Sequence, residues 1–275
     1  MKSEPRTSAI ALTFHGVRSE SGQMVAVGDS AAWRYVVSWK VFDAILERLL
    51  PSNCCCCEDF GQKDGDDWRI LTFDDGLASD FEVVFPALLR RELRATFFVT
   101  AENVGRPGYT SFAQLREMAA AGMEIGSHGL THRYLINMSC PEALREICES
   151  KEQLEQGLGR KVAAFAVVGG HFSRWMPPVV AKAGYRIFAT MIPGESALAK
   201  GLTILRRNHI QSHHRATYAA QLIAGRKSTL WGNYFRYQLL RLPKLFLGLS
   251  NYDRLKKCLL HWQRDSEKQT VNECS

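Results

Sequence analysis

The stretch Leu71–Asp80, with the sequence LTFDDGLASD, decides how the rest of the chain is interpreted. An apolar run, Ile70–Phe73, leads directly into two adjacent carboxylates, Asp74 and Asp75, and then into Gly76. Neighbouring side chains of a strand point to opposite faces, but a glycine at the strand end lets the backbone turn so that both acids reach one cavity. Two carboxylates this close stay charged only where a cation or hydrogen-bond donors share them. An Asp-Gly turn after a buried strand gives the same local pattern.

A second polar stretch, Gly126–His132 (GSHGLTH), follows the short apolar segment Met123–Ile125. It places His128 and His132 four residues apart, and at that spacing a helical turn brings both imidazoles within reach of one metal ion. No Glu lies between them, so a catalytic base must come from elsewhere. Together with Asp75 the pair makes an Asp-His-His set with an open position for water, which is typical of a catalytic zinc site. A histidine pair at this spacing is also a common surface feature.

In this order and spacing, the two motifs resemble those of the polysaccharide deacetylase family (carbohydrate esterase family 4, the NodB homology domain). TFDDG is similar to the first motif of that family, and SHGLTH to its second, His-[Ser/Thr]-x-x-His, with Gly129 in place of the usual Ser or Thr. The resemblance covers about Ile10–Ile210. It implies that the first acid, Asp74, is the general base, and that the second acid and the two histidines bind Zn²⁺ or another divalent transition metal.

A third histidine follows the first predicted strand, Ser8–Phe14 (SAIALTF), which ends in His15. A histidine at a strand end is commonly just a hydrogen-bonded polar group. Deacetylases that act on poly-N-acetylglucosamine resemble circularly permuted members of the family and carry a similar Phe/Tyr-His before the DDG motif. This resemblance implies that His15 is the general acid. His209, within Leu205–Ile210 (LRRNHI), is the rival candidate, with a position on the barrel rim as its alternative.

Strands and helices are predicted to alternate regularly after Asp74. The predicted helices are Phe81–Arg91, Phe112–Ala121, Pro141–Leu158 and Pro177–Ala183, and the predicted strands are Ala95–Thr100, Met123–Gly126, Ala163–Val168 and Tyr185–Ala189. Strands separated by helices of this length indicate parallel βαβ units. Both motifs sit at strand carboxyl ends, where sites form in α/β barrels. The pattern fits the distorted (β/α)7 barrel that the resemblance implies, predicted here for residues 8–225.

The segment between the first helix and the Asp74 strand is rich in cysteine. A helix capped by Ser38 is predicted to end before Pro51, and Pro51–Asp67 is predicted to be a surface excursion. Four of the eight cysteines, Cys54–Cys57, are consecutive. Neighbouring cysteines are poor disulfide partners, so reduced thiols are expected, with a metal cluster lacking C-x-x-C spacing as the alternative. Met1–Arg6 is polar and no apolar signal-like run follows, which predicts a cytoplasmic protein.

The third motif departs from the family pattern. Arg-x-Pro-[Phe/Tyr]-Gly would fall on Ala166–Gly170, which here reads AVVGG, so that Ala166 replaces the Arg that orients the catalytic Asp in the family. His171 and Arg174 are the predicted substitutes for it. Two glycines let the backbone approach a ligand, so that an N–H there can serve an oxyanion. The fourth, Asp-Trp motif is not visible in Thr190–Glu195. The predicted substrate or oxyanion residues are Gly169, Gly170, His171, Arg174 and His209.

The chain becomes basic and aromatic after Gly225. Arg226–Arg264 holds nine Lys and Arg residues against the single Asp253, a larger excess than the +7 of the whole chain. A basic amphipathic helical extension over residues 226–264, followed by a tail over 265–275, is therefore predicted to lie on an anionic membrane surface. A helix that packs on the barrel and exposes a basic face is the alternative. No nucleic-acid-binding motif accompanies the charge, and nucleic acid is not an expected partner.

The combined prediction is a metal-dependent hydrolase that removes N-acetyl groups from an amino sugar in a polysaccharide or in its lipid- or nucleotide-linked precursor. Cytoplasmic work on exopolysaccharide biosynthesis, with peripheral attachment to the inner membrane, is the expected setting, and an N-acetylated glycan or glycolipid is the expected substrate. The alternatives are a deformylase of a lipid-linked amino sugar, a glycan-binding pseudoenzyme motivated by Ala166, and a membrane-associated scaffold. The intact acid pair and histidine pair argue against the last two.

Overall fold

A computed structural model of the chain describes residues 7–23, 35–60 and 67–247. The strands within these ranges are β1 (Ser8–Phe14), β2 (Gly16–Val17), β3 (Val36–Val37), β4 (Cys54–Cys55), β5 (Trp68–Asp75), β6 (Thr96–Val99), β7 (Glu124–Ser127), β8 (Ala164–Ala166), β9 (Ile187–Ala189), β10 (Ser196–Ala197), β11 (Thr203–Leu205) and β12 (Arg207–His209). The α-helices are α1 (Trp39–Leu46), α2 (Phe85–Leu89), α3 (Phe112–Ala120), α4 (Cys140–Leu158), α5 (Met176–Lys182), α6 (Ala216–Ile223) and α7 (Lys227–Leu247).

The main sheet is mostly parallel and nearly closes into a barrel. Its strands follow the order β10-β1-β5-β6-β7-β8-β9-β11, in which only the β1–β10 pairing is antiparallel. β11 pairs with β9, and β12 pairs with β1 on the far side of the sheet. Only Arg206 separates β11 from β12, so this segment of chain joins the two sides of the sheet. The predicted α/β architecture is confirmed as a barrel-like sheet with helices between parallel strands.

Side-chain caps mark the starts of two helices, and the cap at Ser38 is the predicted one. The Ser38 side chain accepts a hydrogen bond from the Val41 amide at the start of α1, and Ser139 forms a capping box with Glu142 at the start of α4. The predicted helix over residues 81–91 differs, because a π-helical turn over 80–84 precedes a shortened α2. Pro86 explains the widened turn, since it lacks an N–H and its ring crowds the carbonyl four residues earlier.

The four consecutive cysteines lie inside the protein, so the predicted surface excursion is wrong for Cys54–Cys57. All four are buried, and Cys54–Cys55 forms β4 beside β5. Cys55 and Cys57 join the apolar cluster inside the barrel, because reduced cysteines pack as small apolar side chains. Burial raises the pKa of Cys54 to about 12, and those of Cys56 and Cys57 well above the ordinary value. Protonated thiols of this kind are poor metal ligands, which disfavours a cluster.

Glu124, the first residue of β7, is a buried acid next to this cysteine segment. One of its oxygens accepts hydrogen bonds from the Thr96 hydroxyl at 2.6 Å and from the Glu58 amide at 3.0 Å. Its Oε1 has no hydrogen-bond partner among the described residues. Burial raises the pKa of Glu124 to about 7. The hydrogen bond from Thr96 lowers this pKa, and the charge of Glu58 raises it further. The folded protein therefore binds a proton here that the unfolded chain releases at lower pH.

Glu124→Gln is expected to abolish a pH-dependent loss of stability. The pKa of Glu124 is higher in the folded protein than the value of 4.5 expected in the unfolded chain. The protonated side chain therefore contributes its full stabilisation below pH 4.5, and this contribution is lost as the pH rises from 4.5 to about 7. The loss amounts to roughly 3 kcal/mol at about 1.4 kcal/mol per pKa unit. Urea unfolding of wild type and variant at pH 5 and pH 8 measures it. The exposed Glu117→Gln is the control, and an equal pH response in Glu124→Gln and wild type would contradict the assignment.

The long helix α7 continues past Leu230, where the compact unit that carries the sheet ends. Trp231, Phe235 and Leu239 follow each other at four-residue intervals, and each is more than 60% exposed. Side chains at this spacing form a stripe along one side of a helix. None of the described helices combines the length and the hydropathy of a membrane crossing. Residues 248–275 lie outside the described ranges, and the boundaries predicted for the extension and the tail stay a prediction.

Candidate active site

The two motifs meet at the carboxyl edge of the sheet. Asp75 is the last residue of β5 and lies in register with Val99 of β6, which in turn aligns with Ser127 of β7. His128 follows directly, and its amide donates a hydrogen bond to the Val99 carbonyl at 2.8 Å. Parallel strands place their carboxyl ends at one edge, so residues 53 positions apart in the sequence come together there.

Asp75, His128 and His132 converge on one point. One candidate ligand atom from each residue lies within 4.8 Å of the other two. Among the residues that the structure describes, these three form the group of His, Cys, Asp and Glu side chains that could hold a metal ion. The Asp75 Oδ1 atom lies 2.9 Å from His132 Nε2 and 3.5 Å from His128 Nε2. It is buried, yet neither contact has the geometry of a hydrogen bond. A cation between the three atoms would satisfy that oxygen, so the residues present fit a divalent metal.

Two further residues hold the histidines in place. The Ala166 carbonyl lies 2.8 Å from His128 Nδ1, which fixes the ring tautomer and leaves Nε2 facing Asp75. Glu146 of α4 accepts hydrogen bonds from the Leu130 amide at 2.8 Å and the Thr131 amide at 3.0 Å, so it braces the loop between the two histidines. Nothing local in the sequence marks Glu146 for this function, because it lies 14 residues beyond the motif.

Backbone strain concentrates at the proposed ligands. Asp75 has φ +81° and His132 has φ +62°, and two further non-glycine residues of the described chain, Asp67 and Glu92, also have positive φ. L-residues pay roughly 1–2 kcal/mol for this conformation, so it persists where the surrounding structure requires a particular side chain. The strain at both ligands is consistent with a functional constraint.

Asp74 points into the barrel and is paired with Arg207 of β12. The Arg207 Nη1 atom lies 2.6 Å from Asp74 Oδ1, and Nη2 lies 2.9 Å from Oδ2, which makes a bidentate ion pair. Burial of Asp74 would raise its pKa, but the charge of Arg207, aided by His128 and His15, lowers the pKa below the ordinary value. Asp74 is therefore ionised at neutral pH and able to accept a proton.

The prediction that His171 and Arg174 substitute for the missing third-motif Arg is corrected by the pairing of Asp74 with Arg207. Arg174 is exposed, and His171 packs edge-on against Tyr134 with ring centres 5.6 Å apart. The guanidinium that binds Asp74 belongs instead to Arg207, which lies outside both sequence motifs. The two residues are 133 positions apart, and only the pairing of β12 with β1 beside β5 brings them together.

His15, Tyr35 and His209 form an aromatic group at the same edge. The His15 and His209 ring centres are 4.7 Å apart, and the Tyr35 ring stacks on His209 at 5.4 Å. His15 Nδ1 is buried without a hydrogen-bond partner among the described residues. His15 directly follows Phe14 of β1, which pairs with Phe73 of β5, the residue before Asp74. The structure thus brings both candidate acids to the site.

Gly169 and Gly170 lie in a turn after β8, both with positive φ. A Cβ on Gly169 would lie 2.5 Å from the Tyr134 ring, and one on Gly170 would overlap the Met191 side chain. Both positions therefore require glycine for close packing as well as for conformation. The Gly170 amide donates to the Val167 carbonyl at 3.0 Å, so the predicted oxyanion function stays a prediction for the Gly169 amide alone.

The arrangement as a whole defines a class of protein. A barrel-like parallel sheet presents a metal-binding triad and a separate ionised carboxylate at its carboxyl edge, where His132 is 44% exposed and Asp75 is partly exposed. A substrate can reach these groups from solvent. With a divalent metal bound, such a site would supply a Lewis acid beside a proton acceptor, as hydrolysis of an unreactive amide or ester requires.

Comparison with known proteins shows similarity to one family over part of the chain. The family model described as polysaccharide deacetylase matches residues 61–188, which include Asp74, Asp75 and both histidines. YxkH of Bacillus subtilis (strain 168), provisionally named a polysaccharide deacetylase, is 22% identical over 207 residues, covering 75% of this chain and 73% of YxkH. The peptidoglycan-N-acetylglucosamine deacetylase of Bacillus cereus is 30% identical over 117 residues, covering 42% of this chain and 53% of that protein.

A solved structure shows the same fold. The Streptococcus pyogenes deacetylase PplD, in complex with acetate, superposes with a TM-score of 0.68 at 21% identity, covering 79% of this chain and 99% of that one. The chain is thus similar to the polysaccharide deacetylase family over residues 61–188, and it shares the fold of PplD. Its enzyme class is carbohydrate N-deacetylase, a hydrolase. Arg207 and His15 both lie outside the 61–188 match, so the family pattern alone does not reveal them.

Proposed function

We propose that this enzyme removes N-acetyl groups from an amino sugar within a polysaccharide or within its lipid- or nucleotide-linked precursor. The observation that carries the proposal is the convergence of Asp75, His128 and His132 beside the ionised Asp74. Zinc or another divalent transition metal would be held by the triad. When bound, it would act as a Lewis acid on the amide oxygen and make water more acidic, to a pKa of about 7 for zinc.

The protein's own residues would carry the proton transfers. Asp74 accepts the proton of the attacking water as the new C–O bond forms. His15 then protonates the amide nitrogen as the C–N bond breaks, which gives acetate and a free amine. The Gly169 amide is the proposed donor to the oxyanion, because the Gly170 amide already donates to the Val167 carbonyl at 3.0 Å. With His15 ahead of the DDG motif in the sequence, the order of groups resembles that of permuted poly-N-acetylglucosamine deacetylases.

Product release from a substrate panel tests the proposal. The metal-loaded enzyme is incubated with N-acetylglucosamine oligomers, nucleotide-linked N-acetylhexosamines and lipid-linked N-acetyl and N-formyl amino sugars, and acetate and formate are quantified. Acetate release that disappears in Asp74→Asn is the expected result. Formate without acetate would favour the deformylase alternative. Release of neither acid from any substrate by fully loaded enzyme would refute the proposed function.

We also infer that α7 attaches the enzyme to an anionic membrane surface. The exposed stripe of Trp231, Phe235 and Leu239 supplies apolar side chains for the interface, and the nine basic residues of the 226–264 segment supply attraction to anionic lipid. Each Lys or Arg near the surface contributes about 1 kcal/mol, and salt screens that contribution. A membrane-bound enzyme would favour a lipid-linked substrate over a finished polymer.

Phe235→Ser is expected to weaken co-sedimentation with anionic liposomes, because it places a hydroxyl in the apolar stripe. Leu240→Ser is the matched control, since Leu240 is also exposed but lies about two and a half turns from Trp231, on the opposite side of the helix. Wild-type binding should require anionic lipid and weaken steeply with added salt. Binding that ignores lipid charge, or an equal loss in both variants, would contradict membrane attachment through this stripe.

A further inference from the structure

Arg207 is a charged side chain in the interior of the barrel. It belongs to β12, the strand that pairs with β1 where the sheet closes, and its side chain is 0% exposed. It is the largest of the fully buried side chains among the described residues. Arginine is almost never buried to this degree without a specific partner, so its presence there requires an explanation.

The Arg207 head group is held from several directions. Besides the two bonds to Asp74, its Nε donates to the Thr190 carbonyl at 3.1 Å, and Nη1 lies 3.3 Å from the Thr72 hydroxyl. The Phe98 ring lies 5.1 Å from the guanidinium carbon, at cation–π distance. These contacts fix the plane of the guanidinium. The two parallel hydrogen bonds then hold the Asp74 carboxylate in the same plane.

The interior of the barrel leaves room for this side chain because its wall is lined by small residues. The fully buried alanines of the interior cluster are Ala9, Ala11, Ala164, Ala166 and Ala189. Ala166 ends β8 and pairs with Ala189 of β9, and Thr190, which follows Ala189, accepts the Arg207 Nε hydrogen bond. An arginine on Ala166 in addition to Arg207 would place a second cation in the same enclosed space.

We propose that Arg207 is the positioning residue of the catalytic carboxylate, and that Ala166 and Arg207 form a compensating pair in which an arginine has moved from β8 to β12. Stability alone does not account for the arrangement. Replacing a buried ion pair by apolar side chains is often neutral or stabilising, because desolvation of both charges costs more than their attraction returns. Orienting Asp74 toward the attacking water does account for it. The kinetic test of this proposal rests on the proposed function.

The kinetic arm compares Arg207→Lys and Arg207→Ala with wild type. Lysine keeps the charge but loses the planar fork, so both variants are expected to lose about 10²-fold in kcat through misorientation of Asp74. KM should stay within a few-fold and the metal content should stay at the wild-type value, since Arg207 touches neither the substrate nor the triad. Guanidinium ion should restore activity to Arg207→Ala, and so should the second substitution Ala166→Arg. Each restoration is expected to be at least tenfold.

Arg69→Lys is the matched control. Arg69 is also a buried arginine paired with an aspartate, Asp67, but it lies at the opposite end of β5 from Asp74. Its replacement should lower thermal stability without changing kcat of the folded enzyme. Unchanged kcat in both Arg207 variants would overturn the proposal. So would an activity loss that neither guanidinium nor Ala166→Arg restores.

A structural arm separates this proposal from the proposed function. In crystals of Arg207→Lys or Arg207→Ala, the Asp74 carboxylate should lose its wild-type orientation, whereas Arg69→Lys should keep it. This result needs no substrate, so it holds even if wild type releases no acetate, an outcome that would refute only the function. An Asp74 carboxylate that keeps its orientation in both Arg207 variants would overturn the positioning function.

Discussion

His132→Gly is expected to remove the metal from the purified protein and to reduce turnover to the background rate. The substitution leaves Asp75 and His128 as the only members of the triad, and two protein ligands do not hold zinc tightly. Elemental analysis should fall from one divalent ion per chain in wild type to nearly none. Acetate release should disappear with it.

Glycine is the better replacement here because of the backbone. His132 has φ +62°, which glycine adopts without the penalty of about 1 kcal/mol or more that alanine pays. The variant should therefore fold at least as well as the metal-free wild type, and loss of metal cannot be attributed to unfolding. Asp75→Asn, at φ +81°, tests the second ligand in the same way, since asparagine tolerates this region better than most residues.

His213→Gly controls for unspecific binding by exposed imidazoles, because His213 is exposed on the segment before α6. It should retain one ion per chain and full turnover. Metal content that is unchanged in His132→Gly and Asp75→Asn would refute the assignment of the triad. Equal loss in His213→Gly would show that the measured ion binds elsewhere.

The metal triad could be predicted from the sequence because its members belong to local motifs. DDG and the His-x-x-x-His spacing each carry their chemistry within a few residues, and each follows an apolar run that ends at the carboxyl edge of a sheet. The alternation of strands and helices then predicts a parallel sheet, which places both motifs on one edge. Capping residues such as Ser139 fix helix starts in the same local way.

Arg207 could not be predicted because it acts through a long-range contact. No local pattern distinguishes it from the neighbouring Arg206, and only the pairing of β12 with β1 turns one of the two into the barrel. The third motif directed attention to Ala166 and the residues just after it, yet the replacing side chain comes from a strand 41 positions later. Because Arg207 gives Asp74 a guanidinium partner, Ala166 alone no longer argues for the pseudoenzyme alternative.

The cysteine segment was misjudged for a related reason. Cysteines, glycines and acids together are typical of surface loops, but Cys54 and Cys55 pair with β5, and all four cysteines of the segment are buried. Whether such a segment is exposed depends on which strand it meets, and composition does not encode that partner. Burial raises the pKa of the Cys54, Cys56 and Cys57 thiols, which makes them poor nucleophiles.

Asp74→Asn is expected to keep the metal and to lose turnover by three orders of magnitude or more, the upper range of roughly 10²–10⁴-fold for a general base. Asparagine has the same shape but cannot accept the proton of the attacking water. Asp74 does not belong to the Asp75, His128 and His132 set, so one ion per chain should remain. Elemental analysis and acetate release measure the two quantities on the same sample. Loss of metal together with activity would mean that Asp74 is itself a ligand.

The variant also carries a predictable cost in stability. A neutral asparagine at this position would leave the fully buried Arg207 without its counter-charge, and removing one partner of a buried ion pair typically costs about 3–5 kcal/mol. The double variant Asp74→Asn/Arg207→Met removes both charges and should recover most of that loss, because an apolar side chain suits the interior cluster. It should not recover activity. If the double variant were as active as wild type, Asp74 could not be the base. If Asp74→Asn alone were as stable as wild type, the ion pair would contribute nothing to the folded state, and the enclosed cation would have to be balanced by another group.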